Sequence, residues 1–392
     1  MKKDQCVLCG SNHLFEFLDL GYSPHSDQFR DNKTEAELWY PLALVQCQDC
    51  ELVQLSYIVP RKDLFTKDYL YESSITKTAN VHWKEFTQSV IKNTGINKGL
   101  IVDIGGNDGT LLQEFKAKGF NVVNVDPCKD VTDIAENNGI PSITEFWRKG
   151  LVKGADIILG TNVFAHTDDY NGFIEGVVDS LKEDGVFIFE SPYFGEFIKG
   201  LEYDTVYHQH VTYISLKPTI RFLEKVGMEI FNIEFTPLHG GSFRCYIARK
   251  GKRKIQPIVQ ESIDKEDFSK EILIDFANKV KEHRNELMNL LWKIKSEGKT
   301  IGVVSAPAKG MTLMNYCGIK DNLVDFITER STLKQGRYAP GSHIVINPDS
   351  LIELVQPDYL LLLAWNFADE IIANNKNFKG KWIVPLPNIQ IK

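Results

Sequence analysis

From Leu100 onward the chain repeats one pattern of polarity: an uninterrupted apolar run, a glycine-rich turn, an amphipathic stretch, then another apolar run. LIVDIGG, TLLQEFKAKG, NVVNVDP, ADIILGTN and GVFIFESP follow one another in this way. Apolar runs too short for helices and without polar alternation predict strands buried on both faces, and their alternation with helices predicts a doubly wound α/β sheet. Between Glu261 and Glu297 the period changes. Phe268, Ile272, Phe276, Val280, Leu287, Leu291 and Ile294 recur at helical spacing and Gly298 closes the segment, so a long helix is expected at a domain boundary. Strand signals restart in KTIGVVSAPAKGMTLMNYC, LVDFITERS, YLLLLAWNF and KWIVPLPN, which predicts a second, smaller Rossmann-like unit. Ahead of Leu100, LWYPLALVQC and ELVQLSYIV alternate well enough to be strands of a small β-rich module. The expected division is 1–75, 76–250 and 251–392.

Charge narrows the partners. The net charge is -7 over 392 residues, and no run of Lys and Arg is long enough to track a phosphate backbone, so nucleic acid is not an expected partner. No stretch has the length and apolarity of a membrane span, and MKKDQCVLCG lacks the apolar region of a secretory signal. A cytoplasmic enzyme is expected, with no membrane partner.

Cysteine placement adds a metal. Of seven cysteines, Cys6 and Cys9 in CVLC and Cys47 and Cys50 in CQDC form two knuckles, the arrangement that sets four thiolates tetrahedrally around zinc. Four sulfurs leave no open coordination position, so the zinc is expected to be structural and to hold a module too small for a core of its own. Cys128, Cys245 and Cys317 are expected as buried small hydrophobes.

DIGGNDGT, Asp103 to Thr110, follows a strand and opens a helix, so its glycines allow a tight turn and close approach of a cofactor to the backbone. Gly105, Gly106 and Gly109 do not give the GxGxxG spacing, which counts against a dinucleotide while leaving NAD as the rival. Asp126 ends the next strand, where a carboxylate can take both ribose hydroxyls of an adenosyl group. Asp103, Gly105, Asn107, Asp108, Asp126 and Asn162 are the cofactor candidates.

Beyond the strand FIFESPY lies YDTVYHQHVTYIS, with Tyr207, His208, Gln209 and His210 in succession. If this backbone is extended, Tyr207 and Gln209 share one face, and His208 and His210 the other. His166, in NVFAHTDD, also follows a strand and can converge on the same pocket. In the C-terminal unit SAPAKG sits between a strand and a helix, so the amides around Ala306, Ala308 and Gly310, with Lys309, can cradle a diphosphate. KQGRYAPG offers Lys334, Arg337 and Tyr338, WNF offers Trp365 and Asn366, and HGGSFR offers Ser242 and Arg244 beside two glycines.

The paired CxxC, DYLYESS, DIGGNDGT, NVFAH, ESPY, YHQH, HGGSFR, SAPAKG and KQGRYAPG occur in the order seen in the sugar C-3'-methyltransferases, which make branched deoxysugars. The chain resembles that family over nearly its whole length. The resemblance implies a class I S-adenosylmethionine methyltransferase core between a zinc module and a second Rossmann-like domain. It implies a nucleotide-linked 4-keto-6-deoxyhexose as substrate, and Tyr69, Tyr71, His166, Tyr207, Gln209 and His210 around the sugar. A 4-keto group acidifies the C3 proton, so a base can form an enolate that takes the methyl; His210 is the candidate base, with His166 or Tyr207 steadying the oxyanion. The family pattern reads YHEH, and Gln209 stands here in place of the glutamate. Gln209→Glu is accordingly expected to retain or raise activity on C3, while transfer to oxygen, or an NAD-dependent nucleotide-sugar oxidoreductase or epimerase, remains the alternative. A monomer or homodimer is expected.

Overall fold

The structure is a computed structural model that describes residues 1–60, Leu64, 77–237 and 240–392. Tyr69, Tyr71 and His239 lie outside the described residues.

The first module is an antiparallel sheet of β1 (Leu14–Pro24), β2 (Trp39–Cys47) and β3 (Val53–Leu55). The alternation expected of a half-exposed sheet is lost in β2, where Leu42 to Cys47 are all buried. The reason is packing on both faces: Leu42 and Leu44 on one face join a core shared with distant segments, where Gln46 donates to the Phe268 carbonyl, while Cys47 on the other face joins the core of the second sheet.

The second sheet carries β4 (Leu100–Ile104), β5 (Asn121–Val125), β6 (Ser142–Ile143), β7 (Ala155–Thr161) and β8 (Leu181–Pro192). The chain then lays down β9 (Thr212–Tyr213), before β10 (Met228–Thr236) and β11 (Ser242–Arg249) return to the second sheet. Its strand order is β10-β11-β8-β7-β4-β5-β6, with β4 to β8 parallel and the β8-β11-β10 side antiparallel. This is the doubly wound α/β sheet anticipated from the strand rhythm, closed on one side by an antiparallel pair. The short β9 instead pairs with β3, through Val53 and Gln54, and so belongs to the first sheet. The segment YHQH, immediately before β9, is thereby held where the first two sheets meet.

The third sheet has β12 (Ile301–Val304), β13 (Phe326–Thr328), β14 (Ile346–Asn347), β15 (Tyr359–Leu362), β16 (Lys381–Val384) and β17 (Gln390–Ile391), in the order β14-β13-β12-β15-β16-β17. All neighbours are parallel except the last pair, so this is the second Rossmann-like unit.

The long helix runs Lys270–Ser296 and buries Leu273, Phe276, Val280, Leu287, Leu291 and Ile294. Phe268 precedes it, and Leu273 rather than Ile272 takes the fully buried position. Rather than separating two units, the helix is their common core: its apolar stripe packs in one cluster with Leu18 and Leu20 of β1 and Ile301 and Val303 of β12. At about 25 cal/mol per Å² of apolar surface removed from water, such a stripe ties the outer modules together firmly. No helix among the described residues is long and apolar enough to cross a membrane.

Candidate active site

Cys6, Cys9, Cys47 and Cys50 bring all four sulfurs within 4.8 Å of one another, with Cys6–Cys50 at 3.6 Å and Cys9–Cys47 at 3.5 Å. A tetrahedral zinc with Zn–S near 2.3 Å puts sulfurs about 3.8 Å apart, so the donor set fits that ion and has no position left for a substrate. The zinc site is structural.

A cavity of about 510 Å³ opens where the carboxyl ends of the parallel strands in both Rossmann-like sheets face each other. This is the place where an open α/β sheet offers loops to a ligand, here supplied twice. Asp103 ends β4 and Gly105, Gly106 and Asn107 turn the chain past it; Asp126 follows β5; Asn162 follows β7. From the third sheet, Pro307, Ala308 and Lys309 follow β12, Lys334 follows β13, and Asn366 follows β15. His166, Tyr207, Gln209 and His210 stand between these two groups in the lining.

The turn after β4 is built for close approach. Gly105 has φ 66° and Asn107 φ 53°, the left-handed region that glycine and asparagine tolerate best. A side chain at Gly106 would fall 2.5 Å from Asn124 Oδ1. Asp103 is 1% exposed and its Oδ1 is buried without a hydrogen-bond partner. Burial, reinforced by the charge of Asp126, lifts the Asp103 carboxyl to about 8. Ionising a carboxyl buried in this way calls for a cation beside it, which is what a ligand ammonium provides. Asp126 accepts from the main-chain N–H groups of Asn107 and Cys128, fixing its carboxylate at the mouth of the turn.

The YHQH segment is a turn, not an extended strand. The His210 N–H donates to the Tyr207 carbonyl at 2.9 Å, so Tyr207, Gln209 and His210 all reach the cavity and the expected alternation fails. His208 points the other way, fully buried, with Nε2 3.3 Å from the Pro41 carbonyl and its ring edge-on to Tyr40. It is a packing residue, and burial pushes it down to about 4. His210 Nδ1 lies 2.9 Å from the Thr205 carbonyl, which can only accept, so in the neutral ring Nδ1 carries the proton. Nε2 then accepts the Tyr207 hydroxyl at 2.7 Å. The His166 ring stands edge-on to His210, with centroids 5.2 Å apart, and burial holds it near 4, a neutral imidazole at physiological pH.

On the opposite wall, Lys309 reaches Asn366 Oδ1 and lies 4.1 Å above the Trp365 ring. Trp365 in turn donates to Asp204 Oδ2. Burial lowers the Lys309 pKa, and Asp204 and Glu202 oppose the fall. The ten-residue helix Ala308–Cys317 begins here and directs its first amides at the cavity.

Several expected site residues do not line the cavity. Asp108 accepts from the Thr110 N–H and hydroxyl and shapes the start of the following helix. Ser242 is buried at the head of β11, in register with Pro192 and Thr236. Arg244 is 4% exposed, because its guanidinium is spent on Glu190 and Glu234 and stacks 3.9 Å from the Phe86 ring. Arg337 pairs with Asp31, and Tyr338 exchanges main-chain hydrogen bonds with Arg30. The Ala306 N–H, expected to face a phosphate, donates to Glu329 instead.

Other lining residues went unnoticed in the sequence: Asp27 from the turn after β1, His82, Trp83, Phe146 and Trp147. His82 Nε2 lies 2.7 Å from Glu190. Burial alone would raise Glu190, but His82 and Arg244 outweigh it and hold the carboxyl below its usual range. No motif flags these residues, since each depends on a chain crossing that spacing does not encode.

Residues 6–65 match the family described as "Putative zinc binding domain", residues 82–232 the family "Methyltransferase domain", and residues 237–387 the family "C-methyltransferase C-terminal domain". The chain is 30% identical over 411 aligned positions to the C-methyltransferase NovU of Streptomyces niveus, covering 99% of this chain and 96% of that one. A S-adenosylmethionine-dependent methyltransferase from Clostridium acetobutylicum aligns at 15% identity and a TM-score of 0.38, over 44% of this chain and 92% of its own. Magnesium protoporphyrin IX methyltransferase from Synechocystis, with bound S-adenosylmethionine, aligns at 14% identity and 0.36, over 46% and 87%.

Proposed function

The chain belongs to the S-adenosylmethionine-dependent C-methyltransferases, and from that premise we propose that it methylates C3 of a nucleotide-linked 4-keto-6-deoxyhexose. The observation that carries the reading is the cavity itself, which puts a buried carboxyl end and an amine end on either side of a Tyr–His pair. The three units 1–75, 76–250 and 251–392 then divide the labour into a zinc-held support, a cofactor domain and a nucleotide-sugar domain.

Asp103 takes the cofactor's ammonium, Asp126 its ribose hydroxyls, and Gly105, Asn107 and Asn162 shape the walls around it. S-adenosylmethionine, when bound, supplies an electrophilic methyl on a sulfonium. Lys309 and Lys334, with the Ala308 amide and Asn366, hold the sugar nucleotide's diphosphate. His210 Nε2 is the acceptor for the C3 proton, directly or through the Tyr207 hydroxyl that it already binds. Neutral His166, its one ring N–H directed at the Gln209 main-chain carbonyl, braces the turn that carries His210 beside the enolate oxygen. Carbon rather than oxygen as acceptor follows the family, and Gln209 hydrogen-bonds the sugar without sharing in proton transfer.

Mass spectrometry tests this directly. The enzyme is incubated in heavy water with dTDP- and GDP-linked 4-keto-6-deoxysugars, with and without S-adenosylmethionine. A gain of one methyl, together with deuterium at C3 when the methyl donor is withheld, is the expected result. A methyl gain without exchange moves the acceptor to oxygen, and no gain on any sugar removes the substrate class.

A further inference from the structure

The amide of Gln209 has one side satisfied and one side left over. Nε2 donates to Asp27 Oδ2 at 2.9 Å, while Oε1 is buried without a hydrogen-bond partner in a residue 2% exposed that lines the cavity. Asp27 lines the same cavity, reached from the turn after β1 in the zinc module. An ionised carboxylate can only accept, so it selects the NH2 side of the amide and forbids the flip that an isolated glutamine makes freely. Burial works against the Asp27 charge, and the Lys334 ammonium, from the third sheet's loops, works for it.

We propose that Asp27 is a positioning residue for the sugar site: it fixes the Gln209 amide so that Oε1 is presented to a hydroxyl of the substrate's hexose ring. The inference rests on the nucleotide-sugar reading above. Oε1 has no proton to give, so its complement must be a donor, and the ring hydroxyls of a hexose are the donors such a substrate carries. Leaving a buried acceptor unmatched is costly, so a sugar without that hydroxyl is discriminated against.

The same geometry leads to the opposite expectation for Gln209→Glu from the one drawn on the sequence. Gln209→Glu does not restore a missing carboxylate; it puts a second one 2.9 Å from Asp27, where two like charges cannot both persist. Exchanging the pair, however, preserves its logic: in Asp27→Asn/Gln209→Glu the new amide donates and the carboxylate at 209 still turns one oxygen to the substrate.

The test measures kcat/KM on the preferred sugar nucleotide for wild type, Asp27→Asn, Gln209→Glu and the exchanged double variant, with cofactor affinity and Tm as controls. Each single variant is expected to lose about tenfold or more and the exchange to recover to within about threefold of wild type. If Asp27→Asn does not fold, Gln209→Met and Gln209→Met/Asp27→Glu serve instead, and the second change is expected to cost no further activity. Wild-type rates in Asp27→Asn, an exchanged variant no better than its worse parent, or further loss in the Gln209→Met background overturns the assignment of Asp27. Wild-type enzyme that methylates no sugar overturns the functional reading itself, and this inference with it.

Discussion

The second and third sheets share a doubly wound topology, yet the ends they turn to the common cavity carry opposite chemistry. At the end of β4 and after β5 the chain supplies Asp103 and Asp126; after β12 and β13 it supplies Lys309 and Lys334. The acidic end is dry enough to lift Asp103 to about 8, and the basic end dry enough to lower Lys309. On the proposed function one fold thus makes a cation site and an anion site, and the difference lies in the strand ends and the loops that follow them. Between them, the YHQH turn is held by β9 to a third structure, the zinc sheet, so the Tyr207–His210 pair sits on neither Rossmann-like sheet alone.

Four experiments bear on that division, from the largest effect down. His210→Ala is expected to lower kcat by about 10²–10⁴-fold with cofactor affinity unchanged, because it removes the proton acceptor and neither charged end. Near-wild-type turnover would remove His210 from the chemistry. Arg244→Met is expected to cost about 3–5 kcal/mol of stability in urea titration, since it strands Glu190, which has no exposure, beside His82. Unchanged stability with weakened sugar-nucleotide binding would return Arg244 to the substrate site.

The third is a crossed pair. Asp103→Asn is expected to weaken cofactor binding about tenfold or more and spare the sugar nucleotide, and Lys309→Met to do the reverse, each losing one charge-assisted contact. Calorimetry with each ligand alone decides it, and a variant that weakens both ligands equally would break the proposed division between the two ends. The smallest effect is in pH. Asp103 is protonated below about 8 in the free protein and must ionise to meet an ammonium. Cofactor binding therefore releases a proton near neutrality and tightens as pH rises toward 8, by at most about tenfold per unit, then levels off. Heats that do not vary with the buffer's ionisation enthalpy would contradict it.

Much of this was legible along the chain because it is local. The CxxC knuckles, the apolar strands, the turn at Gly105 and the helix start at Ala308 are each written within a few residues, and their physics is short in range. The near misses were also local in kind. An extended backbone puts His208 and His210 on one face, and one turn hydrogen bond from His210 to Tyr207 separates them.

What the sequence by itself determined was the set of elements, the four zinc ligands and the strand ends that bear the site. Only the tertiary structure decided which charged groups are available there. Arg244 and Asp27 are equally plain as polar residues in the sequence, yet one is neutralised inside by Glu190 and Glu234, and the other crosses from the zinc module to meet Gln209. Periodicity encodes which face of an element is apolar, but which carboxylate meets which partner depends on chain crossings between segments about 180 residues apart. Those crossings are fixed by the common packing of the three modules on the long helix Lys270–Ser296, and no local pattern reports them.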